Sequence, residues 1–358
     1  MGKRIVIMAG GTGGHVFPAL AVAESLKEKG WQVSWLGTQK GLESRVIPEN
    51  GLEIDWLSVA GVRGKGLASK ITAVFMLFKA CIQALNILRR RKPDVVLGMG
   101  GFVAGPGGLM TKLLGLPLII HEQNRIPGTT NRLLARWANQ VLEAFPGSFG
   151  KKVNAKCTGN PLRKRFLNAL EKGRRQSENE VRILIFGGSQ GAQILNETVP
   201  DAIAEFQRSG LAKQSVQIKH QTGVAMLAQV ESRYKALDIK AETSAFIDDM
   251  VAAYQWADLV ICRAGAMTVS EVAAMGVPAI FIPLPSAIDD HQTANARYLT
   301  DAGAGLLLRQ NNLNPLTLAE HITKAIENLD VMSTAALRCA WLDATAVVAE
   351  YCIAEAGL

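Results

Sequence analysis

Residues 181–196, VRILIFGGSQGAQILN, carry the clearest information about how this chain folds. Val181–Phe186 is an apolar run rich in β-branched residues, which is typical of a buried parallel strand. Three glycines interrupt the run between positions 187 and 191, and a helical pattern begins at Ala192. A glycine-rich turn between a strand and a helix directs backbone N–H groups and the positive end of a helix dipole outward. The stretch therefore predicts a site for an anion.

The N-terminus repeats this pattern. Lys3–Ala9 is predicted to be a strand, residues 10–15 (GGTGGH) a loop, and Pro18–Lys29 a helix. Since one such unit opens each half of the chain, the sequence predicts an α/β protein with two similar domains. We expect their parallel sheets to face each other across a deep cleft.

The boundary between the two predicted domains lies near residue 163. Residues 164–180 are polar and charged, as is typical of a linker between domains. We therefore expect an N-terminal domain over 1–163 and a C-terminal domain over 164–340. The helix predicted at about 341–358 is expected to cross back onto the first domain.

The composition limits the classes of function. A chain of 358 residues that is 48% hydrophobic can form two proper cores. Its formal net charge of +8 favours an anionic partner, which could be a nucleic acid, a phosphorylated substrate or an acidic membrane surface. Nucleic-acid binding is disfavoured, because no helix-turn-helix or zinc finger is recognisable. Five scattered cysteines without a CxxC pair argue against a disulfide framework or a zinc site, and no signal peptide is recognisable.

Neither glycine loop fits a dinucleotide or ATP motif in detail. A GxGxxG fingerprint requires three glycines. In the first loop its third glycine position holds Val16, and in the second loop the third residue is Ser189 instead of glycine. A Walker A lysine is also missing. Binding of phosphate in general remains possible.

No spacing of His, Cys, Asp or Glu resembles a metal site. The adjacent pairs Asp248–Asp249 and Asp289–Asp290 are expected to be helix caps and solvated turns. A bound diphosphate would then be neutralised by helix N-termini, backbone N–H groups and arginine instead of a fixed metal. A divalent ion could still assist.

The most apolar stretch, residues 71–88, has apolar positions at three- and four-residue spacing and is predicted to be a helix. A glycine-rich basic loop (60–66) precedes it, and Arg89–Lys92 follows it. Two interpretations stay open: a helix buried against the sheet, or a contact of the 63–92 region with an anionic membrane surface.

Seven sequence blocks taken together resemble the bacterial lipid-linked N-acetylglucosaminyltransferases of peptidoglycan synthesis, the MurG family. The blocks are GGTGGHVFPALAVA (10–23), GMGGFVAGPGG (98–108), HEQN (121–124), GNPLR (159–163), GGSQGA (187–192), FIDDM (246–250) and CRAGAMTVSEVAAMGVPAIFIP (262–283). The resemblance implies the GT-B fold of two Rossmann-like domains. It also implies inverting transfer of N-acetylglucosamine from UDP-N-acetylglucosamine to the C4 hydroxyl of undecaprenyl-pyrophosphoryl-N-acetylmuramoyl-pentapeptide (lipid I). The product is lipid II, and the enzyme would be peripheral on the cytoplasmic face of the inner membrane, in contact with other cell-wall enzymes.

The resemblance also implies which residues bind the donor. Ser189 would hold the diphosphate, the backbone of Ile247 would meet uracil, Glu271 would bind the ribose hydroxyls and Gln292 would recognise the sugar. The remaining residues implied are Thr12, Gly13, Gly14, Asn124, Arg163, Ala266, Met267, Thr268, Val269 and Ser270.

Two residues are candidates for the catalytic base. His15 follows a glycine loop at a helix N-terminus, which disfavours the protonated imidazole and leaves the ring able to accept a proton. It could instead hydrogen-bond a phosphate or sugar oxygen. Glu122 is the second candidate, although it could simply orient His121 or Asn124. The loop with Gly98, Gly100 and Gly101 would remain for the acceptor pyrophosphate.

Other functions remain open at this point. Another GT-B enzyme, such as a UDP-sugar 2-epimerase or a different lipid glycosyltransferase, would share the glycine loops. A non-catalytic scaffold for cell-wall precursors is the alternative from another class. UDP release that depends on added lipid acceptor would distinguish the transferase from an epimerase.

Overall fold

A computed structural model describes residues 2–59, 67–170, 180–188, 191–209 and 215–357, with the side chains of 67–73 and 288 left aside. The chain forms two compact units. Unit 1 comprises Met1–Arg163 and Trp341–Leu358, and unit 2 comprises Lys164–Ala340.

Unit 1 is built on a parallel sheet of strand order β3-β2-β1-β4-β5-β6-β7. The strands are β1 (Arg4–Met8), β2 (Gln32–Gly37), β3 (Glu53–Trp56), β4 (Val95–Gly98), β5 (Leu118–Glu122), β6 (Gln140–Glu143) and β7 (Lys156–Cys157). The helices between them are α1 (Gly13–Glu28), α2 (Glu43–Glu49), α3 (Leu67–Arg91), α4 (Ala104–Leu113) and α5 (Thr129–Leu134).

Unit 2 has a second parallel sheet of order β10-β9-β8-β11-β12-β13. Its strands are β8 (Glu180–Phe186), β9 (Ser215–Gln221), β10 (Glu242–Ser244), β11 (Leu259–Cys262), β12 (Ala279–Phe281) and β13 (Gly305–Leu307). Its helices are α6 (Lys164–Leu170), α7 (Gln193–Arg208), α8 (Leu227–Ala236), α9 (Met250–Trp256), α10 (Ala266–Met275), α11 (His291–Thr300), α12 (Pro315–Ile326) and α13 (Leu329–Arg338).

The final helix, α14 (Ala344–Gly357), packs on unit 1. Val348 and Cys352 are fully buried in the same apolar cluster as Ile5 and Val22. The Gln140 amide also donates to Glu355 Oε1 at 2.7 Å. Unit 1 is thus assembled from two distant parts of the chain.

Central strands of both sheets are covered on both faces, which explains their continuous apolar sequences. Residues 5–8 of β1 are almost fully buried between β2 and β4, with Ile5 opposite Val33 on one side and Val95 on the other. In unit 2, residues 183–185 of β8 are equally buried. The prediction of two α/β domains with parallel sheets is confirmed.

Several predicted boundaries were wrong. The first helix begins at Gly13 instead of Pro18, because the two glycines and His15 adopt helical geometry after the extended residue Thr12. The expected linker 164–180 opens with helix α6, whose Phe166 packs against the Tyr254 ring at 6.1 Å. Residues 171–179 lie outside the described part of the chain.

Three short strands and the start of the final helix also differed from expectation. Strands β7, β10 and β13 have only two or three residues and were not predicted. The final helix, predicted at about 341–358, begins at Ala344 and ends at Gly357.

Helix α3 combines features of both interpretations of the apolar stretch. Ala84 and Leu88 are buried in the core cluster beneath it, and Ala80 is also fully buried. Phe75 and Phe78 on its other side are 71% and 66% exposed. Within the described residues, we find no helix whose length and apolar character would let it cross a bilayer. The basic loop 60–66 lies outside the described residues.

Candidate functional site

Two glycine loops meet at the carboxyl edge of the unit 1 sheet. The first loop follows β1 and the second follows β4, its neighbour in the sheet. Gly100 and Gly101 have φ angles of 99° and 82°. A Cβ atom on Gly101 would lie 2.3 Å from the Gly10 carbonyl oxygen, and one on Gly100 would lie 2.7 Å from His15 Nδ1. Only glycine therefore allows the second loop to pack against the first loop and against His15.

Helix α1 begins without a side-chain cap. Thr12 is extended, its hydroxyl makes no capping bond, and its carbonyl accepts from the N–H groups of His15 and Val16 at 3.1 Å. Within the described residues, the N–H groups of Gly13 and Gly14 have no acceptor, so they are available to an anionic group. Three predicted residues, Thr12 to Gly14, thus lie together at one helix N-terminus with His15.

His15 is held by a side chain that the sequence analysis did not select. Its Nδ1 lies 2.8 Å from Gln123 Oε1, while Gln123 Nε2 lies 3.1 Å from His121 Nδ1. His121 Nε2 in turn lies 2.9 Å from the Gly159 carbonyl oxygen. Burial lowers the pKa of His121 to about 4. The only available signal for Gln123 was its position inside the HEQN block, at the end of a buried strand.

Both carboxylate oxygens of Glu122 accept hydrogen bonds. Its Oε1 accepts from the backbone N–H and side-chain amide of Asn124 at 2.9 and 3.2 Å, and its Oε2 accepts from Gly128 N–H and Asn131 Nδ2 at 3.0 and 2.9 Å. The residue is only 1% exposed. These contacts favour the role of orienting Asn124 over that of accepting a substrate proton.

A second buried carboxylate, Glu43, supports the first glycine loop and was missed. Its Oε2 accepts from the Gly11 N–H at 2.9 Å, and its Oε1 accepts from the N–H and hydroxyl of Thr38 at 2.9 and 2.7 Å. Glu43 is fully buried. It follows a polar stretch without periodicity, so nothing in the sequence marked it.

The other predicted residues of unit 1 are placed as follows. Gly98 is the last residue of β4 and is buried. It was predicted to belong to the loop, but it belongs to the strand. The strand reaches Gly98 because its peptide continues the pairing with Met8 and Ile120. The Arg163 guanidinium lies over the Phe17 ring at 4.8 Å from the centroid, beside the first turn of α1.

In unit 2, Gln221 joins the glycine loop to Ile247. Its Nε2 donates to the Gly188 carbonyl at 2.7 Å, and its Oε1 accepts from the Ile247 N–H at 3.2 Å. Gly191 closes the loop through an N–H bond to the Gly188 carbonyl at 2.9 Å. Ser189 lies outside the described residues. Helix α7 also begins without a side-chain cap.

The six predicted residues from 266 to 271 form the first turns of α10. Gly265 caps this helix in an extended conformation, and no side chain caps it. Val269 is fully buried, so its side chain packs in the core. Glu271 is half-buried, and its Oε2 accepts from the Tyr254 hydroxyl at 3.2 Å. Tyr254, which the sequence analysis did not select, therefore fixes the carboxylate.

Gln292 and the acidic pairs lie in or beside turns. Gln292 Oε1 accepts from the Leu284 N–H at 3.0 Å, which fixes the turn after β12. Asp249 caps α9 by accepting from the Ala252 N–H, as expected for the first acidic pair. Asp290 accepts from the Thr293 hydroxyl at 2.6 Å. Among the described residues, no group of three or more His, Cys, Asp or Glu is arranged to hold a metal ion.

Two α/β units with uncapped helices after glycine loops are suited to binding a nucleotide-sugar, and comparison with known proteins identifies the class as a glycosyltransferase. The chain belongs to glycosyltransferase family 28: the N-terminal domain of that family matches residues 5–143, and the C-terminal domain matches residues 182–340. Two relatives carry the same name, UDP-N-acetylglucosamine--N-acetylmuramyl-(pentapeptide) pyrophosphoryl-undecaprenol N-acetylglucosamine transferase. The protein from Methylococcus capsulatus is 58% identical, and the alignment covers the full length of both chains. The protein from Shewanella sp. MR-4 is 48% identical over 99% of this chain and 98% of its own.

Solved structures agree with the sequence relatives. The crystal structure of MurG from Acinetobacter baumannii matches with a TM-score of 0.83 and 39% identity, over 98% of this chain and 99% of that one. The GT-B fold and the resemblance described above are thus confirmed. The crystal structure of a UDP-N-acetylglucosamine 2-epimerase matches with 13% identity and a TM-score of 0.63, over 100% of this chain and 97% of that one, and shows the shared fold alone.

Proposed function

We propose that this chain transfers N-acetylglucosamine from UDP-N-acetylglucosamine to the C4 hydroxyl of undecaprenyl-pyrophosphoryl-N-acetylmuramoyl-pentapeptide, with inversion at the anomeric carbon. The names of the relatives at 58% and 48% identity support this reaction. The observation that carries the proposal is the position of His15, in the first turn of an uncapped helix between two interlocked glycine loops.

In the proposed reaction, unit 1 supplies the base. The acceptor hydroxyl loses its proton to His15, its oxygen forms a bond to the anomeric carbon, and the bond from that carbon to UDP breaks. Asn124, oriented by Glu122, and the N–H groups of Gly13 and Gly14 would contact the sugar. The turn containing Gly100 and Gly101 would receive the acceptor pyrophosphate.

Unit 2 would bind the donor nucleotide. Helices α7 and α10 both begin without a side-chain cap, so their N-termini can stabilise the charge on the departing UDP. Glu271 would accept hydrogen bonds from the ribose hydroxyls, and Gln292 would contact the sugar. Ser189 and Ile247 would complete the proposed donor site in unit 2, and Arg163 of unit 1 would add to the binding of the nucleotide. With these groups, departure of UDP would need no fixed metal, and activity in the presence of a chelator would test that.

The reaction is tested with radiolabelled UDP-N-acetylglucosamine and a lipid I analogue. We expect label to appear in the lipid product, and we expect little transfer from UDP-N-acetylgalactosamine. UDP release should depend on the lipid acceptor. Acceptor-independent release of UDP with formation of a sugar epimer would instead support the 2-epimerase alternative.

Glu271→Gln should raise the KM for UDP-N-acetylglucosamine by about 10- to 100-fold, because a charged acceptor of two ribose hydroxyls is replaced by a neutral amide. The value of kcat should change less, since the ribose is far from the reacting bond. Steady-state kinetics with a soluble acceptor measures both constants. Glu320→Gln, on the exposed side of α12, is the matched control and should leave both unchanged. An unchanged KM in Glu271→Gln would contradict the ribose assignment.

We also propose that unit 1 contacts the cytoplasmic face of the inner membrane through α3 and α4. The packed pair of helices exposes several large apolar side chains: Val74, Phe75, Leu77, Phe78, Ile82, Leu109 and Leu113. Exposed Lys79 and Lys112 lie on the same two helices. Apolar side chains beside basic ones match an interface of acyl chains and anionic headgroups.

Replacing both Phe75 and Phe78 with serine should weaken binding to anionic vesicles by about 10- to 50-fold, because the apolar surface of both rings is removed from the contact with the acyl chains. Sedimentation with vesicles of phosphatidylethanolamine and phosphatidylglycerol measures this, and pure phosphatidylcholine vesicles should bind the unaltered protein weakly. Leu316→Ser, at an equally exposed leucine in unit 2, is the control. Transfer to a water-soluble acceptor should persist in the double variant. Unchanged vesicle binding would refute the contact.

A further inference from the structure

The carboxyl edge of the unit 1 sheet contains a hydrogen-bonded chain that the proposed reaction leaves unexplained. It runs from His15 through Gln123 and His121 to the carbonyl of Gly159. His121 and Gln123 are fully buried, whereas His15 is only half-buried. The hydrogen-bonded chain thus extends from the buried core to His15, which a substrate can reach.

The donor-to-acceptor direction of the hydrogen-bonded chain is fixed at its buried end. The Gly159 carbonyl can only accept a hydrogen bond, so the His121 Nε2 atom, 2.9 Å away, must carry a proton. Burial keeps the imidazole neutral, since it lowers the pKa of His121 to about 4. A neutral ring with its proton on Nε2 has a bare Nδ1, which accepts a hydrogen bond.

The orientation of the Gln123 amide follows from two acceptors. Its Nε2 lies 3.1 Å from the bare Nδ1 of His121 and 3.1 Å from the His121 carbonyl oxygen. Both of these atoms accept, so the amide nitrogen belongs on this side and Oε1 faces His15. Because Oε1 can only accept, His15 Nδ1 at 2.8 Å must be protonated.

The surroundings hold this arrangement in place. Asn160 Nδ2 donates to the Gln123 carbonyl at 3.1 Å, and Asn131 Nδ2 donates to the His121 carbonyl at 3.2 Å. The His15 ring also lies against Gly100, where a Cβ atom would collide with it. Turning the Gln123 amide would break its bond to the His121 carbonyl, and Gly100 confines the His15 ring on one side.

We propose that His121 and Gln123 are positioning residues that hold neutral His15 in its Nδ1–H tautomer, so that Nε2 is left bare to receive the proton of the acceptor hydroxyl. This inference rests on the proposed function, because it concerns the base of that transfer. When the acceptor O–H bond breaks, the new N–H bond forms at Nε2 and the oxygen electron pair goes to the anomeric carbon. The resulting imidazolium still donates from Nδ1 to Gln123, and UDP leaves with the electrons of the broken bond.

A buried chain of this kind matters because an isolated imidazole favours the opposite tautomer, with the proton on Nε2. In that form the ring cannot accept a proton at the atom that points away from Gln123. A histidine base held in the wrong tautomer loses most of its catalytic contribution, as the histidine of serine proteases does when its orienting carboxylate becomes an amide.

The first experiment is ¹⁵N NMR of the histidine ring nitrogens in the unaltered protein without substrates, at about pH 8.5, where an ordinary histidine is neutral. The chain has only five histidines, so single replacements assign the signals. We expect opposite tautomers in one spectrum: Nδ1–H for His15 and Nε2–H for His121. A proton on Nε2 of His15 would overturn the proposal whatever the activity. If the tautomers are as expected but no sugar is transferred, the proposed function fails and the tautomer assignment stands.

The second experiment removes the hydrogen bond without removing the base. Gln123→Met keeps the length of the side chain but offers no amide oxygen to His15. We expect the His15 signals to move toward the Nε2–H form and kcat to fall roughly 10-fold, with the KM for UDP-N-acetylglucosamine changing less than about twofold. His321→Gln, at a histidine on α12, is the control and should alter neither. A loss of kcat with an unchanged His15 tautomer would show a merely structural role for Gln123 and overturn the proposal.

Discussion

Replacing His15 with alanine should lower kcat for sugar transfer by about 10²- to 10⁴-fold, which is the usual contribution of a general base. The KM for UDP-N-acetylglucosamine should change little, because the donor nucleotide is bound by other groups. His15 follows two glycines in the first turn of α1, and its ring is already fixed through Nδ1 by Gln123. Steady-state kinetics with a soluble lipid I analogue gives both constants.

Two further measurements separate the base from a ligand of phosphate or sugar. Added imidazole should restore part of the kcat of His15→Ala if the missing group is a proton acceptor. A group that only binds the donor would instead raise KM and show no such rescue. If kcat of His15→Ala equals that of the unaltered enzyme, the base assignment is wrong.

The second large effect concerns stability. Asp258→Ala should reduce the free energy of unfolding of unit 2 by about 3–5 kcal/mol, because it removes the carboxylate of a nearly buried ion pair with Arg182. Asp258 accepts from Arg182 Nε and Nη2 at 2.9 and 3.0 Å and from the Arg182 backbone N–H at 3.0 Å. Both side chains are nearly buried, and together they link β8 to β11.

Thermal and urea unfolding followed by circular dichroism measures this change. Glu205→Ala provides the control, since it removes an exposed ion pair with Arg208 on α7 and should cost about 0.5 kcal/mol or less. Equal effects of the two substitutions would show that burial does not make the Arg182–Asp258 pair more important.

Most of the architecture was predictable because it depends on local patterns. Continuous apolar runs followed by glycines predicted β1 and β8 to within a residue, since strands covered on both faces have no polar positions. The strands β10 and β13 were not predictable, because three residues are too few to show a period. Helix α3 was ambiguous for a physical reason: a buried helix and an interfacial helix have the same apolar spacing.

The same distinction between local patterns and long-range contacts applies to the residues of the candidate site. Residues of the glycine loops were predictable, because their chemistry is that of the backbone at a helix N-terminus. Gln123 and Glu43 were not, because each acts on a group distant in sequence: Gln123 is 108 residues from His15, and Glu43 is 32 residues from Gly11. Tyr254 and Gln221 acquire their roles in the same way, through contacts that only the folded chain creates.

The docking of α14 has a consequence for biosynthesis. Unit 2 is one continuous segment, residues 164–340, so its core needs no residue of the final helix. Unit 1 cannot close its core until Val348 and Cys352 have been translated, although all seven strands of its sheet are made first. Until then, the apolar surface around Ile5 and Val22 stays uncovered and open to chaperones. A premature stop codon ahead of α14 would therefore harm the half of the enzyme that was synthesised earliest.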